Sequence, residues 1–424
     1  MLDIKFVQDH KKMLEQVAKQ KNIDIDLDKL LELDKKRKKI TQQIEEIRTR
    51  KNQASKKIPQ MNDKEKAKLL AEMKQQTEVQ DELEENLKPV MEEYDKLMRQ
   101  VPMYVHESTP IGADEEANEE LEKAGEVPEF KFTPKDHMRL GKDLDIMDNE
   151  RAAKIAGSRS YLMKGDGARL ETGLLKYAMD FISRKGYELM TVPVILNENA
   201  FWGTGHFPAE TDDVYHLDKD DKYLAGTSEL SLASYHADEI LKEDDLPLRY
   251  AAFSVCFRRE AGSYGKDTQG LYRVHQFLKV EQFIVCKNSE QESMKLHNEL
   301  LDNSKEFLQN LDLPFRVMNI CTGDMGQGKY YMNDLETWMP SRNEYGETHS
   351  ASALLDFQAR RLNLRYKDKE GKIHFCHTLN NTVVATPRIL IPLLELNQLE
   401  DGRIKIPEVL QPYMDHQQFI EKTE

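Results

Sequence analysis

From Leu30 onward the positions Leu30, Leu33, Arg37, Ile40, Ile44, Ile47, Lys51, Ala54 and Ile58 follow alternating three- and four-residue steps. This is the seam spacing of a coiled coil. The pattern stops at Ile58-Pro59-Gln60-Met61-Asn62-Asp63, where a proline removes a backbone donor and an Asn-Asp pair suits a turn and a helix N-cap. A second seam runs through Leu69, Met73, Gln76, Gln80, Leu83, Leu87, Val90, Tyr94, Leu97 and Val101. Two helices of similar length on a short connection lose water from both seams only by folding back on each other, so the segment predicts an antiparallel hairpin. About 32 residues at about 1.5 Å each give an arm on the order of 48 Å, with Pro89 a kink or local irregularity in the return helix.

Between about Pro102 and Pro134 the chain turns acidic and rich in proline and glycine, with the run Asp114-Glu115-Glu116-Ala117-Asn118-Glu119-Glu120, and reads as a connector. Beyond it the apolar pattern predicts strands at 189–195, 250–257, 274–286 and 315–320, with helices at 168–185, 228–241 and 290–311 between them. Strands that follow one another without an intervening helix favour an antiparallel sheet flanked by helices over a doubly wound parallel one. The reading is an α+β chain with an N-terminal helical arm. Its boundaries are 1–110 for the arm-bearing domain (the arm itself about 27–100), 111–150 for the connector and 151–424 for a mixed domain.

The length of 424 residues fits two or three domains. Hydrophobic residues at 39% and charged residues at 32% describe a folded, water-soluble chain, and no run approaches the roughly 20 apolar residues that cross a bilayer. The start, Met1-Leu2-Asp3-Ile4-Lys5, lacks the form of a secretory signal, so a cytoplasmic location without membrane contact is expected. The four cysteines, Cys256, Cys286, Cys321 and Cys376, lie too far apart for a structural zinc site. The formal charge of -15 hides a local excess: from Lys35 to Lys68 there are thirteen Lys and Arg against four acids. Such a rod is either a solvated coiled-coil surface or an arm that tracks a phosphate backbone. With no aromatic residues among the cations, shape recognition of a folded RNA fits better than stacking on single strands.

No dinucleotide-binding glycine turn and no phosphate loop occur; Gly323-Asp324-Met325-Gly326-Gln327-Gly328 lacks the lysine and the strand-to-helix context of one. Side chains must hold any nucleotide. The segment Phe257-Arg258-Arg259-Glu260-Ala261-Gly262 closes one expected strand, and Arg273 to Phe283 opens another after a loop with Gly262, Gly265 and Gly270. Along the second strand Arg273, His275, Phe277, Lys279 and Glu281 share a face opposite Val274, Gln276, Leu278 and Val280. Arg258, Phe277 and Glu281 offer a guanidinium for phosphate, a ring for a base and a carboxylate for an ammonium, or else belong to a sheet with surface ion pairs.

Phe257 to Gly262 followed by Arg273 to Glu281 resembles motif 2 of the class II aminoacyl-tRNA synthetases, and of the seryl-tRNA synthetase family in particular. Thr204-Gly205-His206-Phe207-Pro208, Thr227-Ser228-Glu229, Thr322 to Gly326, Asp356 to Arg361, His377 to Thr382 and Ala385-Thr386-Pro387-Arg388 resemble further segments of that family in the same order. Pro193 resembles its motif 1 proline at a dimer interface. The resemblance implies an antiparallel catalytic sheet that binds ATP in a bent form beside a serine pocket, Mg²⁺ held with the ATP, a homodimer, and an arm that binds tRNA(Ser), with tRNA(Sec) a second acceptor where one exists. It implies that Arg258, Glu260 and Arg388 are catalytic: Arg258 on the α-phosphate, Glu260 on adenine or its ribose side, Arg388 on the distal phosphates. Phe277 stacks on adenine, with Val274, His275 and Gln276 lining that site, and Arg259, Thr348 and His349 lie beside the ATP. Glu347 and Ser350 bind ATP and its metal. Thr227, Ser228, Glu229, Arg258, Glu281, Asn380 and Thr382 surround L-serine, Glu281 taking its ammonium.

One stretch departs from the family's pattern: Glu347-Thr348-His349-Ser350-Ala351-Ser352-Ala353 stands where the family usually reads Glu-Ile-Ser-Ser-Cys-Ser-Asn. Arg259 is a milder departure, standing where serine is common. Two rival functions use the same features: an amino acid:carrier-protein ligase on the same core, whose relatives lack so long an arm, and a non-catalytic RNA-binding paralogue, in which residues such as Arg258, Glu281 or Arg388 are expected to be lost.

Overall fold

The structure is a computed structural model and describes residues 2–261 and 270–422. Gly262 and Gly265 of the expected motif 2 loop lie outside the described residues. The chain forms two compact units, Met1–Pro102 and Met103–Glu424.

In the first unit, helices α1 (Ile4–Asp9) and α2 (Lys11–Gln20) precede the long helices α3 (Leu27–Lys57) and α4 (Asp63–Gln100). Asn62 caps α4 through its side chain, which accepts from the Glu65 N–H, and Glu65 returns the bond to the Asn62 N–H; this capping box restarts the helix after Pro59. Arg48 meets Glu84 at 2.9 Å and Lys51 donates to Gln80 at 3.2 Å, and Lys29 pairs with Glu93, so rising numbers on α3 meet falling numbers on α4. That is the antiparallel hairpin. Leu30, Leu33, Ile40 and Ile44 are buried against the Val90, Tyr94 and Met98 side, and the seam arginine Arg37 is accommodated by Asp34 and by the ring of Tyr94, 4.4 Å away. Pro89 sits inside an unbroken helix. Toward the tip Lys56, Lys57, Lys64, Lys66 and Lys68 are all exposed.

The second unit is built on an eight-stranded sheet whose strands are β1 (Glu119–Ala124), β2 (Glu188–Thr191), β3 (Leu248–Phe257), β4 (Gln276–Cys286), β5 (Phe315–Asn319), β6 (Tyr331–Met339), β7 (Glu344–Leu355) and β8 (His377–Thr386). Their order across the sheet is β1-β5-β6-β7-β8-β4-β3-β2, every neighbouring pair antiparallel except β2 with β3. The long helix α5 (Asp166–Arg184) and α6 (Glu290–Asn310) pack on the sheet. On that covered face Gln282 of β4 and Asn381 of β8 both donate to the carbonyl of Leu300 in α6, at 3.1 and 2.9 Å. Alternation along the same strands turns Glu281, Asn380 and Thr382 to the other face.

Three expectations are corrected. The run read as one strand at 189–195 is divided at Val192-Pro193-Val194, because Pro193 cannot donate to a ladder; Ile195–Leu196 pairs in a separate small sheet. The helix expected over 228–241 spans only Glu229–Ser234, and Asp238 beyond it adopts a left-handed φ of 64°. The stretch 111–150 is more than a connector, since its acidic run leads into β1, whose Glu120 and Glu122 are matched by Arg316 and Lys305.

Candidate active site

Strands β7 and β8 pair only as far as Ala351 and Asn381. Beyond that rung both strands continue without pairing to each other, and the sheet opens into a fork. Each prong carries a bulge: Thr348 is the extra residue between the Leu335–His349 and Glu336–Glu347 pairs, and Val383 between the Thr382–Glu281 and Val384–Val280 pairs. Bulges re-aim side chains. Between the prongs and the end of β3 lies a cavity of about 300 Å³, lined by Glu347, Thr348, Ser350 and Thr382 from the prongs, by Arg388 just past the end of β8 and by Arg258 just past the end of β3.

The cavity brings together most of the residues singled out from the sequence: Thr227, Glu229, Arg258, Glu260, Val274, Phe277, Glu281, Glu347, Thr348, Ser350, Asn380, Thr382 and Arg388 all line it. Five do not. Ser228 is fully buried, its hydroxyl 3.4 Å from the Ala252 carbonyl. Arg259 is exposed, its backbone N–H held by the Asp213 carbonyl at 2.8 Å. His275 turns back to the Arg258 carbonyl at 3.1 Å, and Gln276 is exposed on the opposite parity of β4. His349 is 1% exposed and lies beneath the fork. Val274 lines the cavity although strand parity put it on the other face, because β4 begins only at Gln276.

At the closed end, Glu281 is 1% exposed on β4. Its Oε2 lies 2.7 Å from the Lys279 ammonium, and its Oε1 accepts from Asn380 at 3.1 Å. The same Asn380 amide donates to Glu229 at 3.2 Å, whose other oxygen accepts from Gln358 at 2.7 Å, and Thr378 donates to Gln358 at 2.8 Å. This buried chain fixes the carboxylate of Glu281 at the cavity wall. Thr227 presents its hydroxyl beside it, accepting from the Glu229 N–H at 3.3 Å.

At the open end, the Arg388 guanidinium stacks on Tyr272 at 4.4 Å, donates to the Tyr272 carbonyl at 3.1 Å, and reaches across the fork to the Glu347 carbonyl at 3.0 Å and carboxylate at 3.2 Å. Arg258 lies over the Phe277 ring at 5.3 Å. Burial works against its charge, but the carboxylates of Glu210, Glu347 and Glu260 outweigh that and hold its pKa above the ordinary value. Glu260 has a left-handed φ of 54° and faces Arg159 at 3.7 Å and Arg273 at 3.5 Å. Below the prongs the Asp334 carboxyl is pushed well above its usual range by burial and by the negative charge of Glu347.

Lys279, Lys329, His206, Glu210, Asp213 and Tyr272 also line the cavity and were assigned no role from the sequence. For Lys279 the signal was present: it shares strand parity with Phe277 and Glu281. Among the oxygen donors of the lining, Glu347 and Ser350 stand together at the open end on β7, and among the described residues no group of three or more His, Cys, Asp or Glu gathers as a metal cage. Such a pair fits Mg²⁺, which takes most of its ligands from water and phosphate.

Residues 213–397 match the family model for the tRNA synthetase class II core domain (G, H, P, S and T), and residues 1–105 match the seryl-tRNA synthetase N-terminal domain. The chain is 42% identical over 420 residues to the serine–tRNA ligase of Deinococcus radiodurans, covering 99% of each, and 40% identical over 423 residues to that of Nitrosopumilus maritimus, covering 99% of this chain and 100% of that one. Its fold is similar to the crystal structure of the Pyrococcus horikoshii seryl-tRNA synthetase complexed with ATP, with a TM-score of 0.90, 33% identity and full coverage of both chains. It is also similar to the Naegleria fowleri cytoplasmic serine–tRNA ligase in complex with AMP, with a TM-score of 0.87, 32% identity, and coverage of 100% of this chain and 99% of that one.

Proposed function

Because the chain belongs to the seryl-tRNA synthetase family of class II aminoacyl-tRNA synthetases, its activity is the ATP-dependent joining of serine to tRNA, and we propose that the forked cavity is where serine and ATP react. The observation that carries this reading is the convergence of Arg258, Glu281 and Arg388 on one cavity that also presents the ring of Phe277. Glu281 takes the serine ammonium, as a buried carboxylate oriented by Asn380 is suited to do. Thr227 and Thr382 line the same cavity and meet the rest of the amino acid, and a site that hydrogen-bonds a hydroxyl penalises alanine by leaving buried groups unpaired. Phe277 carries the adenine ring, Arg258 holds the α-phosphate, and Arg388 leaves Glu347 for the distal phosphates.

The serine carboxylate is already a nucleophile at neutral pH. One of its oxygens forms a bond to the α-phosphorus while the bond to the bridging oxygen of pyrophosphate breaks, the electron pair leaving with pyrophosphate; no proton has to move. The ribose hydroxyl oxygen at the end of tRNA then bonds to the seryl carbonyl carbon as the bond from that carbon to the phosphate oxygen breaks, AMP leaving with the electron pair and the hydroxyl proton passing to the departing phosphate or to water. The protein contributes orientation and fixed positive charge from Arg258 and Arg388. Glu347 and Ser350 would hold Mg²⁺, which when bound neutralises phosphate charge.

The exposed lysines along the arm bind tRNA(Ser), in keeping with the match of residues 1–105 to the family's N-terminal domain, and this match disfavours the carrier-protein ligase. Presence of Arg258, Glu281 and Arg388 in one cavity disfavours a non-catalytic paralogue. A homodimer is supported by the edge strand β2, next to which Leu189, Ile195, Tyr235 and Ile240 are between 43% and 55% exposed. A cytoplasmic location agrees with the lack, among the described residues, of any helix long and apolar enough to cross a membrane. Serine-dependent exchange of pyrophosphate into ATP tests the assignment: exchange with serine and little with alanine is expected, and no exchange with serine, or equal exchange with alanine, would overturn it.

A further inference from the structure

His349 stands outside the cavity, yet it touches the extra residue of both bulges. Its Nε2 lies 3.0 Å from the Val383 carbonyl on one prong, and its Nδ1 lies 2.9 Å from the Thr348 hydroxyl on its own. A carbonyl can only accept, so Nε2 carries the proton and Nδ1 is the acceptor. Thr348 therefore gives its one hydroxyl proton to Nδ1 and accepts from the Thr337 hydroxyl on β6 at 2.7 Å, with the Leu335 carbonyl 3.2 Å from the same oxygen. A buried chain therefore runs from β6 through the β7 bulge to the β8 bulge, across a gap where β7 and β8 share no backbone rung.

Among the described residues, side-chain contacts cross the fork at two places beyond its last rung. The outer crossing is Arg388 to Glu347, at the mouth. The inner crossing is His349 to Val383, fully buried. The outer one uses a guanidinium and a carboxylate that lie on the cavity surface, both assigned above to ATP and its metal, so that substrate binding draws it apart. The inner one is out of reach of any ligand. Each bulge has a cavity-lining neighbour: Glu347 precedes Thr348, and Thr382 precedes Val383. Beyond the fork each prong is laddered on its outer side only, β7 to β6 and β8 to β4, so its bulge is the place where register can slip, and a one-residue shift reverses every side chain.

We propose that His349 is a positioning residue, a cross-strand clamp that ties the two bulges together and so fixes the separation of the Glu347 wall from the Thr382 wall while both hold substrate. It accounts for a histidine and a threonine side by side at the place where the sequence departs from the family's pattern. The inference rests on the reading of the cavity given above only for its catalytic consequence; the clamp itself is a statement about the fork.

The test uses the full chain with His349→Leu, which removes both bonds, and His349→Gln, whose terminal amide N–H can reach the Val383 carbonyl. Hydrogen exchange followed by mass spectrometry on peptides covering 344–355 and 377–386 reads the clamp without reference to activity. Exchange in both peptides is expected to quicken together by about tenfold in His349→Leu, the factor that loss of one buried hydrogen bond corresponds to, and to return most of the way in His349→Gln. Serine-dependent exchange of pyrophosphate reads the consequence: the preference for serine over threonine should fall by about fivefold or more in His349→Leu, since a loosened Thr382 wall admits one methyl more easily, and recover in His349→Gln. Quickening in one peptide only, or a glutamine variant no better than leucine, overturns the clamp. Unchanged discrimination with lowered melting temperature reduces His349 to a packing residue and overturns the positioning role. Absence of serine-dependent exchange in the unaltered protein would count against the reading of the cavity, while the exchange of the two peptides would still decide the clamp. If His349→Leu does not fold, Thr348→Val, which removes one arm of the same chain, replaces it with the same expectation for the 344–355 peptide.

Discussion

Replacing Lys279 by methionine should expose how the closed end of the cavity, proposed above to take serine, is held at rest. Lys279 and Glu281 have side-chain exposures of 8% and 1%, and their charged atoms are 2.7 Å apart. Removing the ammonium leaves Glu281 with its bond from Asn380 but no counter-charge. Breaking a buried pair from one side costs about 3–5 kcal/mol, and because the pair lines a cavity that water can enter, the lower end, about 3 kcal/mol, is the expected loss. Removing both charges, in Lys279→Met with Glu281→Gln, should recover more than half of it, since no ion is then stranded. Urea denaturation of the four proteins of the cycle measures this. Serine supplies a second reading of the same physics. Its ammonium can stand in for the lost lysine, so serine should raise the melting temperature of Lys279→Met by more than that of the unaltered protein, where the ligand must displace Lys279 from Glu281. A double variant no more stable than the single one, or equal protection of both proteins by serine, would refute the reasoning.

Deleting Leu30 to Leu97 should abolish charging of tRNA(Ser) and leave serine-dependent exchange of pyrophosphate largely intact; charging that persists would remove the arm from RNA binding. The pH dependence of stability should show the buried histidines. Burial depresses His297 to about 4, against a bond to Asn333 that favours the charged form, and His349 and His377 are also depressed to about 4. For each, the unfolded chain takes up a proton below about 6.5 while the folded one stays neutral, so stability present above pH 6.5 is lost as pH falls toward 4, at about 1.4 kcal/mol per pH unit for each fully divergent group. His297→Gln should flatten the stability profile between pH 6.5 and 4.5 by that slope; an unchanged slope in urea denaturation across that range would contradict it.

The arm was legible because a two-helix hairpin has one job for its apolar residues, and the seam that does it appears as a period in the sequence. Strands β7 and β8, which line the cavity, and β6, which pairs with β7, were not read as strands at all. The reason lies in what they face. In β8 Asn380 turns to Glu229 and Glu281 in the cavity and Asn381 to the Leu300 carbonyl on the helix side, so neither face carries the apolar alternation by which a strand is recognised. In β6 Asn333 is 1% exposed, held by His297 at 2.8 Å, and Asp334 beside it is buried too. Strand parity put Phe277, Lys279 and Glu281 on one face correctly, because that part of β4 is regular. It had no means of finding that Val274 precedes the strand, or that bulges at Thr348 and Val383 decide which of their neighbours reach the cavity. Resemblance to a family singled out Thr382 and Arg388, which line the cavity, but also His349, which was expected beside the ATP and lies buried outside that cavity.

The charges around this cavity are arranged so that those awaiting substrate already hold one another. Glu281 has Lys279, Glu347 has Arg388, and Glu260 has Arg159 and Arg273. A half-buried ion with no partner is costly, so a cavity of isolated charges would either shift their protonation or loosen the fold. Self-pairing avoids that cost, and it alters what binding must do: a ligand replaces an existing partner instead of neutralising a bare charge. An amine alone can take Glu281 but strands Lys279, and an anion alone can take Arg388 but strands Glu347. A ligand pair presenting an ammonium for Glu281 and an adjacent carboxylate for Lys279 at the closed end, and phosphates at the mouth with a cation for Glu347, satisfies all of them at once. Discrimination then comes from the completeness of the exchange more than from the strength of any one contact, and it requires that the two walls keep their separation while the Arg388–Glu347 bridge is open. That requirement falls on the inner crossing of the fork, which no ligand touches.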